Sequence, residues 1–420
     1  MTVGTGTRGR GSRGLCLAVW GLSRAVLLLC VFKVFTVPGP DVTSDVSVIY
    51  RGWYEVLRAG SFPLDDVTWQ YPPAAALAVL SPDLLPFLEY ASAFFVLVLL
   101  CDALVFGLLL YAGGRPGMRE AGTWLWVVGV PLLGPTVYAR YDLMVTAVAV
   151  AALLAGVRHP RVLGALAAFG TLLKVWPVLL LVGTVRGRET RRAWLSAAVT
   201  AAVLALAAAV ALPGAFAFLT FQRDRGLEIE SLGALVFHVA RQFGWEGRVE
   251  LRYGSMEFAG PHVALVSTLA LALSVLAFGW LLVWRLRART FAVHTPADAA
   301  FTAVLLFTVT SRVISPQYLV WPLGLAAVCL VFRGGRMGRP AGLVLVATAV
   351  TLLEFPLGFA HVVASDAEGV ALMAVRNGLL VAAALDAGRR LWRDTVPRVR
   401  QEPATEISRD GRADTPASAP

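Results

Sequence analysis

The chain has 420 residues, of which 57% are hydrophobic and only 15% are charged, and this composition excludes an ordinary soluble protein. Its 37 lysine and arginine residues outnumber its 27 aspartate and glutamate residues, which in so apolar a chain indicates basic cytoplasmic loops and argues against nucleic-acid binding. Its 4 cysteines lie in or beside apolar runs without metal-ligand spacing, so we predict neither disulfides nor a zinc site.

Long apolar runs dominate the chain, and several come close to or exceed the roughly 20 residues that a membrane-spanning helix needs. The clearest are residues 15–37, 87–112, 193–212 and 263–283. We therefore predict an all-α polytopic membrane protein with about 10 to 12 transmembrane helices. The transmembrane domain covers residues 15–394, between a cytoplasmic N-terminus (1–14) and a disordered cytoplasmic tail (395–420).

Clusters of basic residues recur between the apolar runs and predict the topology. They lie at residues 8–13, 115–119, 158–161, 186–192, 285–289, 333–339 and 389–393. By the positive-inside rule these clusters face the cytoplasm, as do both termini. The long loops 38–86 and 213–261 then fall on the outer side of the membrane.

This topology makes two demands on the chain. Residues 72–86 must lie along the membrane surface instead of crossing it, and residues 162–185 must form a bent hairpin that breaks near Lys174, at its outer apex. The rival topology treats both segments as simple spans and puts the basic clusters 115–119 and 158–161 outside. The positive-inside rule favours the first arrangement.

The first outer loop contains an amphipathic pattern. Apolar residues recur at helical spacing over residues 46–57, with Asp45 at the N-cap position and Gly60 placed to end the helix. Capping alone would explain an aspartate at this position. A role in catalysis is the alternative, and the rest of the outer face bears on it.

Cations stand at the outer ends of several apolar spans. Arg140, Lys174 and Arg312 could each extend to the membrane interface without any further role. With Arg223, Arg225, Glu228 and Glu230 of the second outer loop, however, they predict a cationic pocket containing a few carboxylates. Such a pocket would hold a lipid phosphate at the membrane surface, beside an acid that takes up a proton.

Charged residues inside the spans have a simpler interpretation. Arg24 and Asp102 fall at similar depth, and we predict that they pair, because an unpaired charge there would cost several kcal/mol. Glu354 is left undecided. The 5 histidines show no metal-binding spacing, so no metal site and no cofactor are predicted, with a loosely bound divalent cation left open.

Short motifs on the outer side carry a family resemblance. They are Asp45 with Tyr50, WQYPP at 69–73, RYDL at 140–143, KVWP at 174–177 and SPQYLVWP at 315–322. In this order and spacing, the chain resembles the GT-C superfamily of polyprenyl-phosphate-sugar-dependent glycosyltransferases. It is most similar to glycosyltransferase family 87, the actinobacterial α-mannosyltransferases.

The resemblance implies an inverting sugar transfer on the outer face of the plasma membrane. The donor would be a polyprenyl phosphate sugar, with mannose favoured and a pentose open, and the acceptor a hydroxyl of an envelope glycolipid or glycan. Asp45 matches the expected general base best. Asp41, Asp65 and Asp66 are the alternative candidates for the base. Besides the donor and the acceptor, the expected partners are membrane lipids.

The motifs also extend the set of candidate substrate-binding residues. The full set is Tyr71, Arg140, Asp142, Lys174, Arg225, Glu230, Arg312 and Gln317. Within it, Arg140, Lys174 and Arg312 would offset the negative charge of the departing lipid phosphate. A transporter or flippase of a lipid-linked sugar is the alternative function. It is less favoured because the polar residues lie toward the outer face, whereas transporter sites lie near the midplane.

Overall fold

The computed structural model describes residues 6–64 and 66–397. Asp65 and residues 398–420, which make up most of the predicted tail, lie outside the described residues. The boundaries proposed for the transmembrane domain stay predictions.

The described chain is helical over most of each apolar run, which confirms the predicted all-α polytopic class. The α-helices are α1 (Gly6–Val31), α2 (Arg51–Arg58), α3 (Ala75–Leu80), α4 (Tyr90–Gly113), α5 (Ala121–Gly129), α6 (Asp142–Gly156), α7 (Pro160–Leu173), α8 (Arg188–Ala211), α9 (Phe218–Asp224), α10 (Leu235–Arg241), α11 (Val263–Arg287), α12 (Thr295–Thr310), α13 (Val320–Val331), α14 (Gly338–Leu352), α15 (Phe359–Ala364) and α16 (Ala367–Thr395). Short 3₁₀ or π turns are Asp45–Tyr50, Ser81–Leu84, Pro131–Val137, Trp176–Leu181, Pro316–Leu319 and Leu353–Leu357.

Helix length divides the bundle into two groups. In the part of the chain that the structure describes, 6 helices are long and apolar enough to cross a membrane. They are Ser12–Val31, Tyr90–Gly113, Arg188–Ala211, Val263–Arg287, Gly338–Leu357 and Ala367–Thr395. Shorter apolar helices are Ala75–Leu84, Asp142–Gly156, Pro160–Leu173, Thr295–Thr310 and Pro316–Val331. The larger predicted number of crossings stays a prediction.

The short helices form the centre of the bundle, and their length creates a hollow. Nearly all of α12 and α13 is buried, whereas α8 and α11 expose most of their surface. The 16 residues of α12 span about 24 Å, against about 37 Å for the 25 residues of α11. Central helices therefore end before the peripheral ones, and space is left above their ends.

Several basic clusters contact one another at the end of the bundle opposite the hollow. The side chain of Arg13 pairs with Glu120 at 3.0 Å, and Arg119 donates a hydrogen bond to the carbonyl of Arg333 at 2.8 Å. Clusters 115–119 and 333–339 therefore share one end, as the charge-based topology requires. The rival topology would put these two clusters on opposite sides, so the contact argues directly against it.

The two segments that the topology singled out have the shapes it demands. Residues 72–86 contain only α3 and the 3₁₀ turn Ser81–Leu84, both too short to cross. Helix α7 ends at Leu173, and Lys174 adopts an extended backbone (φ −158°, ψ 132°) before the 3₁₀ turn Trp176–Leu181. The predicted break is present at Lys174.

A small antiparallel sheet in the loop 213–261 was not predicted. Its strands are β1 (Leu227–Glu228), β2 (Arg248–Arg252) and β3 (Ser255–Ala259), in the order β1-β3-β2. In the register, Glu257 of β3 lies opposite both Glu228 and Glu250. Together with α10, the sheet packs against α15 and α16 through a separate apolar cluster.

The predicted pair in the membrane core is confirmed. Arg24 Nε lies 2.7 Å from Asp102 Oδ2, and both side chains are buried. Asp102 also accepts hydrogen bonds from Trp126 Nε1 at 2.6 Å and the Tyr138 hydroxyl at 2.7 Å. This cluster lies outside the lining of the hollow.

Candidate active site

The hollow above the central helices is a cavity of about 690 Å³. Its wall is formed by the long loops 38–86 and 213–261, Arg140 just before α6, the break after α7 and the segment after α12. Among the predicted site residues, those that line it are Asp45, Tyr71, Arg140, Lys174, Arg225, Glu230, Arg312 and Gln317. Asp142 lies beneath the wall, where its carboxylate contacts Lys174.

Asp45 is oriented by an arginine from another segment. Its carboxylate Oδ2 lies 2.8 Å from Arg140 Nη2, and Arg140 also donates to the carbonyl of Val42 at 2.9 Å. The helical stretch begins at Asp45, Ser44 takes the N-cap position, and no side-chain cap bond forms at this described helix end. Capping therefore does not explain Asp45, although Gly60 ends the helix as predicted, with φ at 77°.

Four of the sequence motifs meet around Lys174. Its ammonium lies 2.6 Å from Asp142 Oδ1, and Trp321 Nε1 donates to the same oxygen at 2.8 Å. The ammonium also faces aromatic rings at 4.9 to 5.3 Å, those of Tyr71, Tyr141, Tyr318 and Trp321. Because Asp142 already neutralises it and only 7% of Lys174 is exposed, this geometry favours holding the loops together over binding phosphate.

Two arginines, Arg225 and Arg312, lie next to each other in the cavity wall. Arg225 Nε lies 3.4 Å from Glu257 Oε1, and Arg225 Nη2 donates to Ser255 Oγ at 2.6 Å. Arg312 donates to the carbonyls of Arg225 at 2.8 Å and Gln222 at 3.0 Å. Carbonyl oxygens leave the charge of Arg312 in place, so this side chain is the better candidate to face an anion.

The comparisons with known proteins bear on this arrangement. The family model described as glycosyltransferase family 87 matches residues 69–316, more than half of the chain. The chain belongs to glycosyltransferase family 87. It is therefore a multi-pass membrane glycosyltransferase that takes a sugar donor and an acceptor. No curated protein and no solved structure matches it. Asp45 precedes the matched residues, so its role rests on the geometry.

Sequence reasoning counted Glu228 among the charges of the pocket but left it out of the candidate substrate-binding residues, although it lies in the cavity wall of this glycosyltransferase. Glu228 is 2% exposed, and its Oε1 accepts a hydrogen bond from the Ser315 hydroxyl at 2.9 Å. Burial raises the pKa of Glu228, against the opposing effect of Arg225. A signal was present in the alternation of Glu228 and Glu230 about an apolar residue, which puts both carboxylates near one strand end.

Glu230 lies in the wall of the glycosyltransferase cavity, beside Glu354. The carboxylate of Glu354, which was undecided from sequence, lies 2.9 Å from Arg376 Nε, and both side chains are fully buried. Burial, followed by the charges of Glu354 and Glu228, raises the pKa of Glu230 well above its usual value. Glu230 is therefore a poor candidate for a phosphate ligand and a good one for a neutral hydrogen-bonding group.

The rival bases have structural partners. Asp41 lines the cavity, but its carboxylate pairs with Lys33 at 2.8 Å and accepts from the Thr43 amide at 2.9 Å. Burial tends to raise the pKa of Asp41, yet the bonds from Lys33 and Thr43 outweigh it and lower the pKa. Asp66 lines a different hollow and accepts from Trp53 Nε1 at 2.7 Å. Asp65 lies outside the described residues.

An apolar groove extends the cavity down the side of the glycosyltransferase. Leu271 and Phe278 of α11 and Phe307 of α12 line it. Phe278 lies roughly 22 Å along α11 from Val263, which places the end of the groove deep in the bundle. Leu271 is 47% exposed, so the groove is open to the surrounding lipid along α11.

Proposed function

We propose that this family 87 glycosyltransferase moves a sugar from a polyprenyl phosphate carrier to a hydroxyl of an envelope glycolipid or glycan. The observation that carries the proposal is the continuity of one cavity, from the arginines at its outer end to the apolar groove along α11. A lipid-linked donor needs both parts at once, because its phosphate must be held in a polar site while its chain stays in an apolar one. Mannose is the sugar that the family resemblance favours.

The proposed reaction is an inverting displacement with Asp45 as general base. Asp45 takes the proton from the acceptor hydroxyl, whose oxygen forms a bond to the anomeric carbon. The bond between that carbon and the phosphate oxygen breaks, and the electron pair leaves with the lipid phosphate. Arg312 and the adjacent Arg225 stabilise its charge. Arg140 orients the Asp45 carboxylate toward the cavity.

We place this reaction on the outer face of the plasma membrane, with both termini in the cytoplasm. Support comes from the separation of the two ends of the bundle. The cavity lies at one end, and the linked basic clusters, such as Arg119 with Arg333, lie at the other. The positive-inside rule assigns the basic end to the cytoplasm.

The test is transfer of labelled mannose from polyprenyl phosphate mannose to envelope acceptors, in membranes with equal amounts of each variant. We expect Asp45→Asn to lower the rate by about 10²- to 10⁴-fold, because asparagine keeps the shape and cannot take a proton. Asp41→Asn and Asp66→Asn are matched controls and should keep most of the activity. The anomeric configuration of the product should be opposite to that of the donor.

Three results would contradict parts of this proposal. Full activity of Asp45→Asn with loss in Asp41→Asn would move the base to Asp41. Retention of the donor configuration would rule out the inverting displacement proposed here. If the wild-type protein transfers neither mannose nor a pentose, movement of lipid-linked sugar across proteoliposomes would test the transporter alternative.

A further inference from the structure

In the cavity wall, six side chains hold a buried polar atom for which the described residues supply no hydrogen-bond partner: Tyr50, Gln70, Arg140, Trp176, Glu228 and Glu230. Three of these atoms are Gln70 Oε1, Trp176 Nε1 and Glu228 Oε2. Each of the three side chains is more than nine-tenths buried. Burying an unpaired polar atom is costly, so a cavity lined by several of them fits a ligand that is rich in hydrogen-bonding groups.

The three atoms are held in place by other contacts. The second oxygen of Glu228 accepts from Ser315, and the indole of Trp176 stacks on Trp321 at a centroid distance of 5.5 Å. Gln70 uses its amide nitrogen to bind the carbonyl of Val67. The unpaired atoms are therefore fixed in position before a ligand binds, as a recognition site requires.

Hydrogen bonds connect this group to the proposed phosphate site. Gln222 Nε2 donates to the carbonyl of Gln70 at 2.8 Å, and Arg312 Nη2 donates to the carbonyl of Gln222 at 3.0 Å. The amide of Glu228 donates to the carbonyl of Arg312 at 3.0 Å. Gln70 and Glu228 are thus both connected to Arg312. In the proposed donor, the phosphate joins the sugar to the polyprenyl chain, and since the chain takes the apolar groove, the polar groups connected to Arg312 are left for the sugar.

We infer that Gln70, Trp176 and Glu228 form the site that binds the hydroxyl groups of the transferred sugar. The inference rests on the proposed function, since it takes the donor to be a sugar phosphate. A sugar hydroxyl both donates and accepts hydrogen bonds. Glu228 and Gln70 accept from hydroxyl hydrogens, and the Trp176 indole donates to a hydroxyl oxygen. The site therefore selects the number and placement of hydroxyls on the sugar.

Donor analogues test this assignment. Polyprenyl phosphate sugars with a single hydroxyl replaced by hydrogen or by fluorine, at C3, C4 or C6, separate the two kinds of contact, because fluorine cannot donate. C2 is avoided, since substitution there alters the chemistry at the anomeric carbon. Where Glu228 or Gln70 accepts, both analogues should lower kcat/KM in the wild type by about 10- to 100-fold. Where Trp176 donates, the fluorinated donor should retain more activity than the deoxy donor.

Variants then identify which residue faces which position. With the natural donor, Glu228→Ala should lower kcat/KM by about 10- to 100-fold. With the donor that lacks the hydroxyl bound by Glu228, the variant and the wild type should have the same kcat/KM. Gln70→Ala and Trp176→Phe should behave likewise at other positions. Glu228→Gln provides an isosteric variant if the alanine variant does not fold. Glu250→Ala alters a half-buried carboxylate of the same sheet that does not line the cavity, and it should match the wild type with every donor.

The outcomes separate this inference from the proposed function. If the loss of kcat/KM caused by a variant adds to the loss caused by an analogue at every hydroxyl position, the side chains do not contact the sugar. That result would overturn the inference and leave the proposed function intact. Absence of transfer by the wild type from any polyprenyl phosphate sugar would overturn both. Coupling between one variant and one hydroxyl position would support both.

Discussion

Arg24 and Asp102 form a buried ion pair in which the carboxylate has several further donors. Arg24 Nη1 also donates to the carbonyl of Val127 at 2.7 Å, so the charges of both partners are well compensated. Removing one partner would leave the other buried and unpaired. We expect Asp102→Ala to lower the free energy of unfolding by about 3–5 kcal/mol, measured by SDS-induced unfolding in detergent micelles.

The double variant Arg24→Met with Asp102→Leu should recover most of that stability, because it buries apolar groups of similar size instead of one charge. Glu120→Ala removes the partner of Arg13 in a largely exposed pair and should cost less than about 1 kcal/mol. A double variant as unstable as Asp102→Ala would show that the pair is needed for a reason other than charge compensation.

Glu230 predicts a dependence of stability on pH. Its pKa in the folded protein is raised above the ordinary 4.5 by burial and by Glu354 and Glu228, with Arg376 acting in the opposite direction. Above pH 4.5 the folded state therefore binds more protons at Glu230 than the unfolded state, and stability falls as the pH rises toward the raised pKa. We expect Glu230→Gln to reduce this fall and to be more stable than the wild type at pH 7.

The measurement is the midpoint of thermal unfolding in detergent at several pH values. Glu55→Gln alters an exposed carboxylate of α2 and should follow the wild-type pH profile. If Glu230→Gln and the wild type lose stability in parallel as the pH rises, Glu230 is ionised in the folded protein and another group causes the dependence.

At the scale of elements, two glycines offer opposite tests of backbone conformation. Gly254 follows Tyr253 in the tight turn between β2 and β3, with φ at 76° and 49° respectively, and a Cβ added to Gly254 would make only ordinary contact with Thr68. Gly52 lies inside a continuous helical stretch, and a Cβ there would meet nothing within 4 Å. Gly254→Ala should lower the free energy of unfolding by about 1 kcal/mol or more, and Gly52→Ala should raise it by about 0.5–1 kcal/mol.

SDS-induced unfolding of the two variants against the wild type measures both changes. Because neither new methyl group clashes, the sign of each effect reports the backbone alone. Stabilisation by Gly254→Ala would mean that the turn adopts a different conformation from the one described here.

The same elements show what the sequence could predict. The helix that follows Asp45 and ends at Gly60 was predictable, because apolar periodicity and a positive-φ glycine are local signals. The break at Lys174 was predictable because a charge and the following Pro177 interrupt the apolar run, and these are also local signals. The sheet was not, since β1 has only 2 residues and pairs with β3 about 30 positions later, so its stability depends on contacts that no short window contains.

The candidate site was predictable only in part, because its geometry is set between segments far apart in the chain. The motifs identified Lys174 and Asp142, but not that they pair beneath a ring of aromatic side chains. Glu228 was left out of the substrate-binding candidates because its burial in the cavity wall depends on the sheet. Asp45 was identified by its position in the sequence. Its pairing with Arg140 was not predictable, because Arg140 lies far along the chain from Asp45 and from Val42, 98 positions away, whose carbonyl it also binds.

At the scale of the whole molecule, the bundle has a basic end and a cavity end, and two loop glycines report which end faces which side of the membrane. Gly117 lies in the basic cluster 115–119 and Gly244 in the second outer loop; they share φ at 84°, and a Cβ at either would meet nothing within 4 Å. In a background with the 4 native cysteines replaced by alanine, intact cells are treated with a membrane-impermeant maleimide. We expect Gly244→Cys to react and Gly117→Cys to react only after the membrane is opened. Labelling of Gly117→Cys alone in intact cells would invert the topology and move the proposed transfer to the cytoplasmic face, whereas labelling of both would contradict a bundle whose two ends lie on opposite sides.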